Sequence, residues 1–138
     1  MNIFDLQSID TKDLKAYNPQ VLAFVGDAVY SLYVRNIVAT TKKVKSGAMH
    51  KMTSDYVKAT KQSADIERIL PLLTDDELAI YKRGRNYKTQ SVAKHSTVQE
   101  YKRATGFEAV IGYLYLSGDV ARMNDILKIC VGENQDEN

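Results

Sequence analysis

Val21-Leu-Ala-Phe-Val-Gly-Asp-Ala-Val-Tyr-Ser-Leu-Tyr-Val34 is an apolar run broken by one charge, Asp27. Asn18-Pro19 precedes it. Asn is a favoured helix N-cap, and Pro fits the first helical position, where its missing N–H is not needed. The pattern predicts a helix from about Pro19 to Ala39 that is apolar nearly all round and therefore central. A second run, Ala104-Thr-Gly-Phe-Glu-Ala-Val-Ile-Gly-Tyr-Leu-Tyr-Leu116, also carries a single charge, Glu108, and Ala-Val follows each acid. A carboxylate buried without a partner is costly, and pairing or neutralisation is the usual outcome. Neither run offers a cation of its own. The two acids must therefore find Lys or Arg from elsewhere, stay protonated, or share a metal ion.

The rest of the chain reads as further helices, five or six in all, with no strand pattern of useful length. Met49, Met52, Tyr56, Ala59, Ser63 and Ile66 recur at three-four spacing, one core-facing stripe. Pro71 breaks that pattern. Thr74-Asp-Asp-Glu77 and Thr97-Val-Gln-Glu100 are capping boxes. The first predicts a helix to about Lys82, followed by a polar loop, Arg83–Ser96, opened by Gly84. The second opens the helix that carries Glu108. Ser117-Gly118 ends that helix, and Val120–Val131 forms a last one. The class is all-α. Residues 1–132 form one domain, and 133–138 a disordered acidic tail.

With 138 residues the chain fits a single domain. No uncharged apolar run approaches the roughly 18 residues of a membrane span, and Met1-Asn-Ile-Phe-Asp5 lacks the basic start of a signal peptide. The single cysteine, Cys130, excludes an internal disulfide framework and fits a reducing cytoplasm. A net charge of +2 decides nothing alone, but its distribution is uneven. Lys82, Arg83, Arg85, Lys88, Lys94, Lys102 and Arg103 face one acid, Glu100, across their stretch; Lys42 to Lys61 is a second basic group. Clustered cations in a nearly neutral chain can form the footprint of a polyanion, or simply solvated helix faces.

Isolated His50 and His95 make no metal motif, no phosphate-binding Gly loop occurs, and Cys130 has no histidine nearby in sequence. Two acidic helices and a basic loop remain. Hard cations such as Mg²⁺ take carboxylate oxygens and keep bound water. Held between two helices, such an ion can activate water and stabilise the charge of phosphodiester cleavage, while the cationic loop grips phosphates.

These residues also carry a resemblance. Asn18-Pro-Gln-Val-Leu-Ala-Phe-Val-Gly-Asp-Ala-Val-Tyr30 resembles the signature helix of ribonuclease III, and Thr105-Gly-Phe-Glu-Ala-Val-Ile-Gly112 resembles that family's second acidic motif. Order and separation agree, and the likeness covers nearly the whole chain. Together with Tyr81-Lys-Arg-Gly-Arg-Asn86 and Tyr101-Lys-Arg103, the chain looks like the Mini-III branch, a catalytic domain without the family's double-stranded-RNA-binding domain. The resemblance implies the all-helical endonuclease fold and a cytoplasmic, Mg²⁺-dependent endoribonuclease. It would cut both strands of double-stranded RNA near the mature ends of large-subunit (23S) ribosomal RNA precursor, leaving 5′-phosphate and 3′-hydroxyl ends. Asp27 and Glu108 would be the catalytic metal ligands. Arg83, Arg85, Lys88 and Lys94 would hold RNA phosphates. Phe24, Gly26 and Tyr30 would lie at the core of a homodimer, with no membrane involved. A large-subunit ribosomal protein is a possible further partner, because shape readout of duplex RNA carries little sequence information.

The chain departs from the family at two of four metal-binding acids, where Ala23 and Thr105 stand, and at a further signature acid, replaced by Gln20. Fewer carboxylates weaken affinity for a hard cation. The Mini-III pattern shares these replacements. The departures leave one alternative, a catalytically silent RNA-binding or ribosome-associated module on the same fold; a separate rival is a helical interaction protein with no RNA role, in which both acids merely pair with lysines.

Overall fold

The computed structural model describes residues 7–40, 48–51, 65–87 and 98–132. Among them the chain is all-α, as its periodicities predict, with no strand. Helix α1, Thr11–Leu14, is a single turn capped by Asp10, whose carboxylate accepts from the Lys12 N–H at 2.8 Å. Four residues give no periodicity, so the sequence reading misses it. Helix α2, Pro19–Thr40, starts at Asn18, whose Oδ1 accepts from the Gln20 N–H at 2.8 Å. Residues 48–51 and 65–69 are helical, and Leu70–Leu72 is a 3₁₀ turn holding Pro71 at the predicted break. Met52, Tyr56, Ala59 and Ser63 lie outside the described residues; Ile66, at the end of their stripe, is fully buried.

Helix α3, Asp75–Asn86, opens on the expected capping box: Glu77 N–H donates to Thr74 Oγ1 at 3.2 Å, and Thr74 N–H to Glu77 Oε1 at 2.9 Å. It does not end near Lys82. It runs on through Arg83 to Asn86, and Gly84 lies inside it. A Cβ on Gly84 would stand 3.0 Å from Gly106 Cα and 3.1 Å from Ala109 Cβ. This glycine is there for close helix packing and does not open a loop. Helix α4 is Val98–Ser117, and α5 is Val120–Leu127, followed by a π-helical turn, Lys128–Gly132. Gly118, at φ 83°, ends α4 with Asp119 N–H on Leu114 O and Gly118 N–H on Tyr115 O, a Schellman termination. Residues 133–138, the expected tail, lie outside the described residues.

The central helix is α4 rather than α2. Every residue from Ala109 to Tyr115 is buried, between α2 on one side and α3 on another. Helix α2 buries Leu22, Ala23, Gly26, Tyr30, Val34 and Val38, and Tyr30 meets Phe107 of α4 edge to face with ring centroids 5.5 Å apart. Its opposite face is apolar but open: Phe24 is 79% exposed, Leu32 50% and Val21 46%. By length and composition α2 could cross a membrane. Its inner face is instead locked into this core.

Among the described residues the buried acids are Glu77 and Asp65, each with an arginine. Arg122 meets Glu77 through Nε at 2.9 Å and Nη2 at 2.8 Å, and also donates to Leu72 O at 2.7 Å. Arg68 Nη2 bridges Asp65 at 2.8 Å and the Cys130 carbonyl at 2.9 Å. Burial, the largest influence on Glu77, pushes its carboxyl up; the Arg122 hydrogen bond, the Thr74 N–H and the Arg122 charge outweigh it and hold the group below its ordinary value.

Candidate active site

Asp27 and Glu108 come from α2 and α4, which cross backbone to backbone. A Cβ on Gly26 would collide with the Glu108 carbonyl oxygen and stand 2.8 Å from Gly112 N. Reciprocally, a Cβ on Gly112 would collide with the Leu22 carbonyl oxygen. Each glycine opens the space the other helix occupies. Asp27 follows Gly26 directly, so the two acidic positions flank the crossing itself. Asp27 is exposed and Glu108 half-buried. The premise that both acids are sequestered in apolar surroundings therefore fails for Asp27, because the outer face of α2 is uncovered. An exposed carboxylate such as Asp27 carries no desolvation penalty that demands an arginine.

The remaining family positions bring no further acid. Ala23 is buried, and Thr105 spends its hydroxyl on the Tyr101 carbonyl at 3.0 Å. No group of three or more His, Cys, Asp or Glu residues gathers among the described residues. His50 is exposed on its helical segment, and His95 lies outside the described residues. This donor set fits Mg²⁺, which keeps several waters and is held by one or two carboxylates together with substrate phosphates. It lacks, among the described residues, the histidine or cysteine ligands that zinc sites include.

The four cations expected to grip phosphate have different fates. Arg83 is a structural latch: Nη1 donates to Lys15 O at 2.6 Å and Nη2 to Tyr17 O at 2.7 Å. It ties α3 to the connection before α2, because that connection leaves two carbonyls without helical partners. Arg85 lies over the Tyr81 ring, 5.6 Å from its centroid, with Nε on Asn86 Oδ1 at 3.1 Å. Lys88 and Lys94 lie outside the described residues. A second tie between α3 and the start of α2 runs from Asn18 Nδ2 to the Tyr87 hydroxyl at 3.2 Å. No spacing in the sequence signals either latch, since the partners are almost 70 residues apart.

Of the three expected dimer residues, only Phe24 offers a surface. Gly26 and Tyr30 are buried against α4 of the same chain, because the signature helix spends its small and aromatic inward positions on its own core. Phe24 instead borders an apolar groove of about 690 Å³ between α2 and α5, lined by Val29, Leu32, Met123 and Leu127 and reaching Asp27.

Residues 20–119 match the family description "Ribonuclease III domain". The chain belongs to the ribonuclease III family. It is an endoribonuclease, and within the family it falls in the Mini-III branch. A curated Mini-ribonuclease 3 from Clostridium tetani is 42% identical over 134 residues, covering 92% of this chain and 89% of that protein. One from a Thermoanaerobacter species is 47% identical over 114 residues, covering 83% and 80%. An X-ray structure of a Fusobacterium nucleatum protein superposes with a TM-score of 0.78 at 31% identity, over 88% of this chain and 98% of that one. The expected helical endonuclease fold is thus the observed one.

Proposed function

We propose that this ribonuclease III is a Mg²⁺-dependent, homodimeric enzyme that cuts both strands of double-stranded RNA and matures large-subunit ribosomal RNA precursor in the cytoplasm. The observation that carries the reading is the glycine crossing of α2 and α4, which sets Asp27 and Glu108 at adjoining turns of two helices. Those two carboxylates would hold the ion. When bound, Mg²⁺ supplies Lewis-acid stabilisation of charge on the phosphate and lowers the pKa of water.

The chain's own residues do the rest. Asp27 stands in solvent, open to a large substrate, and Glu108 is fixed to the most buried of the described helices. The crossing cannot widen or narrow freely, so the spacing of the two acids is preset; preorganised placement lowers the barrier more than flexible ligands would. Arg85, held over Tyr81, offers its guanidinium to a phosphate, and Lys88 and Lys94 follow it in the basic stretch. No side-chain nucleophile is required, and the expected products carry 5′-phosphate and 3′-hydroxyl ends. Cys130 is buried and takes no part.

The exposed Phe24 face supports the homodimer. An apolar groove with a protruding aromatic is the surface a self-complementary two-fold contact needs, and Asp27 borders it. Two sites per dimer match two strands per duplex. Selection of one position in a ribosomal RNA exceeds what shape readout gives, so RNA already folded by a large-subunit ribosomal protein is the favoured substrate. Purified protein incubated with an RNA duplex, and with precursor RNA with and without bound ribosomal protein, each with Mg²⁺ or with EDTA, tests these points together. Cleavage in EDTA, or no cleavage of any duplex with Mg²⁺, overturns the reading.

A further inference from the structure

On another side of α4 from Glu108 lies an open polar cleft of about 420 Å³, between the 65–69 segment, the end of α3 and the start of α4. Arg85, Lys102 and Arg103 line it, with Tyr81 in its wall and Glu67 as the one carboxylate among the described residues that line it. The acids that crowd the neighbouring sequence, Asp75 and Asp76, do not line it.

Each cation is set up differently. Arg85 is held by Tyr81 beneath it and Asn86 beside it, so little rotamer freedom remains to be lost on binding. Tyr81 is itself only 2% exposed, a rigid support. Lys102 is half-buried on the first turns of α4. Arg103 reaches Glu67 at 3.5 Å, a long contact between side chains that are 40% and 67% exposed. Exposed pairs of this kind contribute little and yield to a better partner. A phosphate is such a partner, since a guanidinium can grip it with two parallel hydrogen bonds.

We propose that this cleft extends the phosphate-binding surface for duplex RNA: Lys102 and Arg103 join Arg85 on the backbone, and Glu67 is an internal competitor that RNA displaces. The proposal rests on the duplex-RNA reading above. Glu108 is five residues beyond Arg103 on the same helix, about 7.5 Å of axial rise. The cleft therefore grips the substrate on the same helix that carries Glu108, from a different side of it. A grip on that rigid element restrains the duplex relative to Glu108. Its contribution is binding shared by ground and transition states.

The test is a salt titration of duplex-RNA binding in Mg²⁺-free buffer with EDTA, for the wild type, the Lys102→Gln/Arg103→Gln double variant and Glu67→Gln. For the double variant the log–log salt slope should fall by about 0.7–0.9 for each phosphate that is no longer neutralised. Its cleavage with Mg²⁺ should show a raised KM and a nearly unchanged kcat. Glu67→Gln should do the opposite: tighter binding at a given salt. A structural role for these residues predicts no gain from Glu67→Gln. Melting curves check the fold, and single Lys102→Gln replaces the double variant if that is unstable. Wild type that binds and cleaves duplex, with slope and affinity unchanged in all variants, overturns the cleft and leaves the family reading standing. Wild type that binds no duplex overturns both.

Discussion

The backbone of Gly26 touches the carbonyl of Glu108: a Cβ at Gly26 would overlap that oxygen and stand 2.6 Å from the carbonyl carbon. The obstacle is main chain of a buried helix, which cannot rotate away like a flexible side chain. Gly26→Ala should therefore push α2 off α4. The substitution gains up to about 1 kcal/mol of helix propensity, but overpacking of this kind costs about 1–3 kcal/mol. A lowered urea midpoint, with cleavage reduced beyond what the unfolded fraction explains, is the expected result. Wild-type stability and turnover would show that the crossing tolerates a methyl group and does not set the spacing of the acids.

Asp27→Asn and Glu108→Gln should each remove cleavage while leaving fold and duplex binding nearly intact. Asp27 is exposed, so its replacement strands no charge in the core, and glutamine keeps the size and the hydrogen-bonding capacity of the half-buried Glu108. The informative pair of measurements is the melting curve beside the cleavage rate. Near-normal turnover by either variant would remove that residue from the metal site; unfolding of both would mean that the acids serve the fold instead.

Much of this arrangement is written locally. The Asn18 cap, the Thr74 capping box, the Pro71 break and the Gly118 stop are short-range signals, and each holds where it is expected. Burial of α2 was not legible in the same way. Its sequence is apolar on every side, and nothing local distinguishes a face covered by α4 from a face left for another molecule. That is why Asp27 reads as buried and stands exposed, and why Tyr30 reads as an interface residue and is core. Gly84 misleads for a related reason: a glycine for close packing and a glycine for a turn are the same letter. The two acidic motifs were legible because their spacing to Gly26 and Gly112 is part of the signature. The latches of Arg83 and Tyr87 join distant segments and leave no trace in any window of sequence.

Arg83 and Arg85 should part company on substitution. Arg83→Ala removes the hydrogen bonds to Lys15 O and Tyr17 O, and should cost about 1 kcal/mol of stability with little change in the salt dependence of RNA binding. Arg85→Ala should leave the melting curve close to wild type and flatten the salt slope by about 0.7–0.9. Comparing both readouts for both variants decides the matter. A flattened slope for Arg83→Ala at wild-type stability would return it to the groups that grip phosphate.

Phe24→Glu should yield a monomer. Phe24 is 79% exposed beside an apolar groove, so the charge costs nothing in the isolated chain, yet it would be desolvated if a second copy covered that face. Sedimentation of the variant at wild-type melting behaviour reads the effect directly. An unchanged oligomeric state would move the dimer surface elsewhere on the chain.

Glu77 gives the fold an acid limit whose sign can be worked out. Arg122 and the Thr74 N–H hold its carboxyl below the ordinary value despite burial. A carboxyl depressed in the folded state stabilises the fold fully above its unfolded pKa, about 4.3. That stabilisation fades as pH falls below this value and through the lower folded pKa. Unfolding free energy of the wild type should therefore drop on acidification below about pH 4.3. In Glu77→Gln this contribution is absent. Arg122 then sits part-buried against a neutral amide, so the variant should be less stable at pH 7 by about 1.5–3 kcal/mol, the range for hydrogen bonds to charged groups. Its stability should fall less steeply towards pH 3. Parallel denaturant titrations across that range test both halves. An acid limb as steep as wild type would show that other carboxylates set the limit.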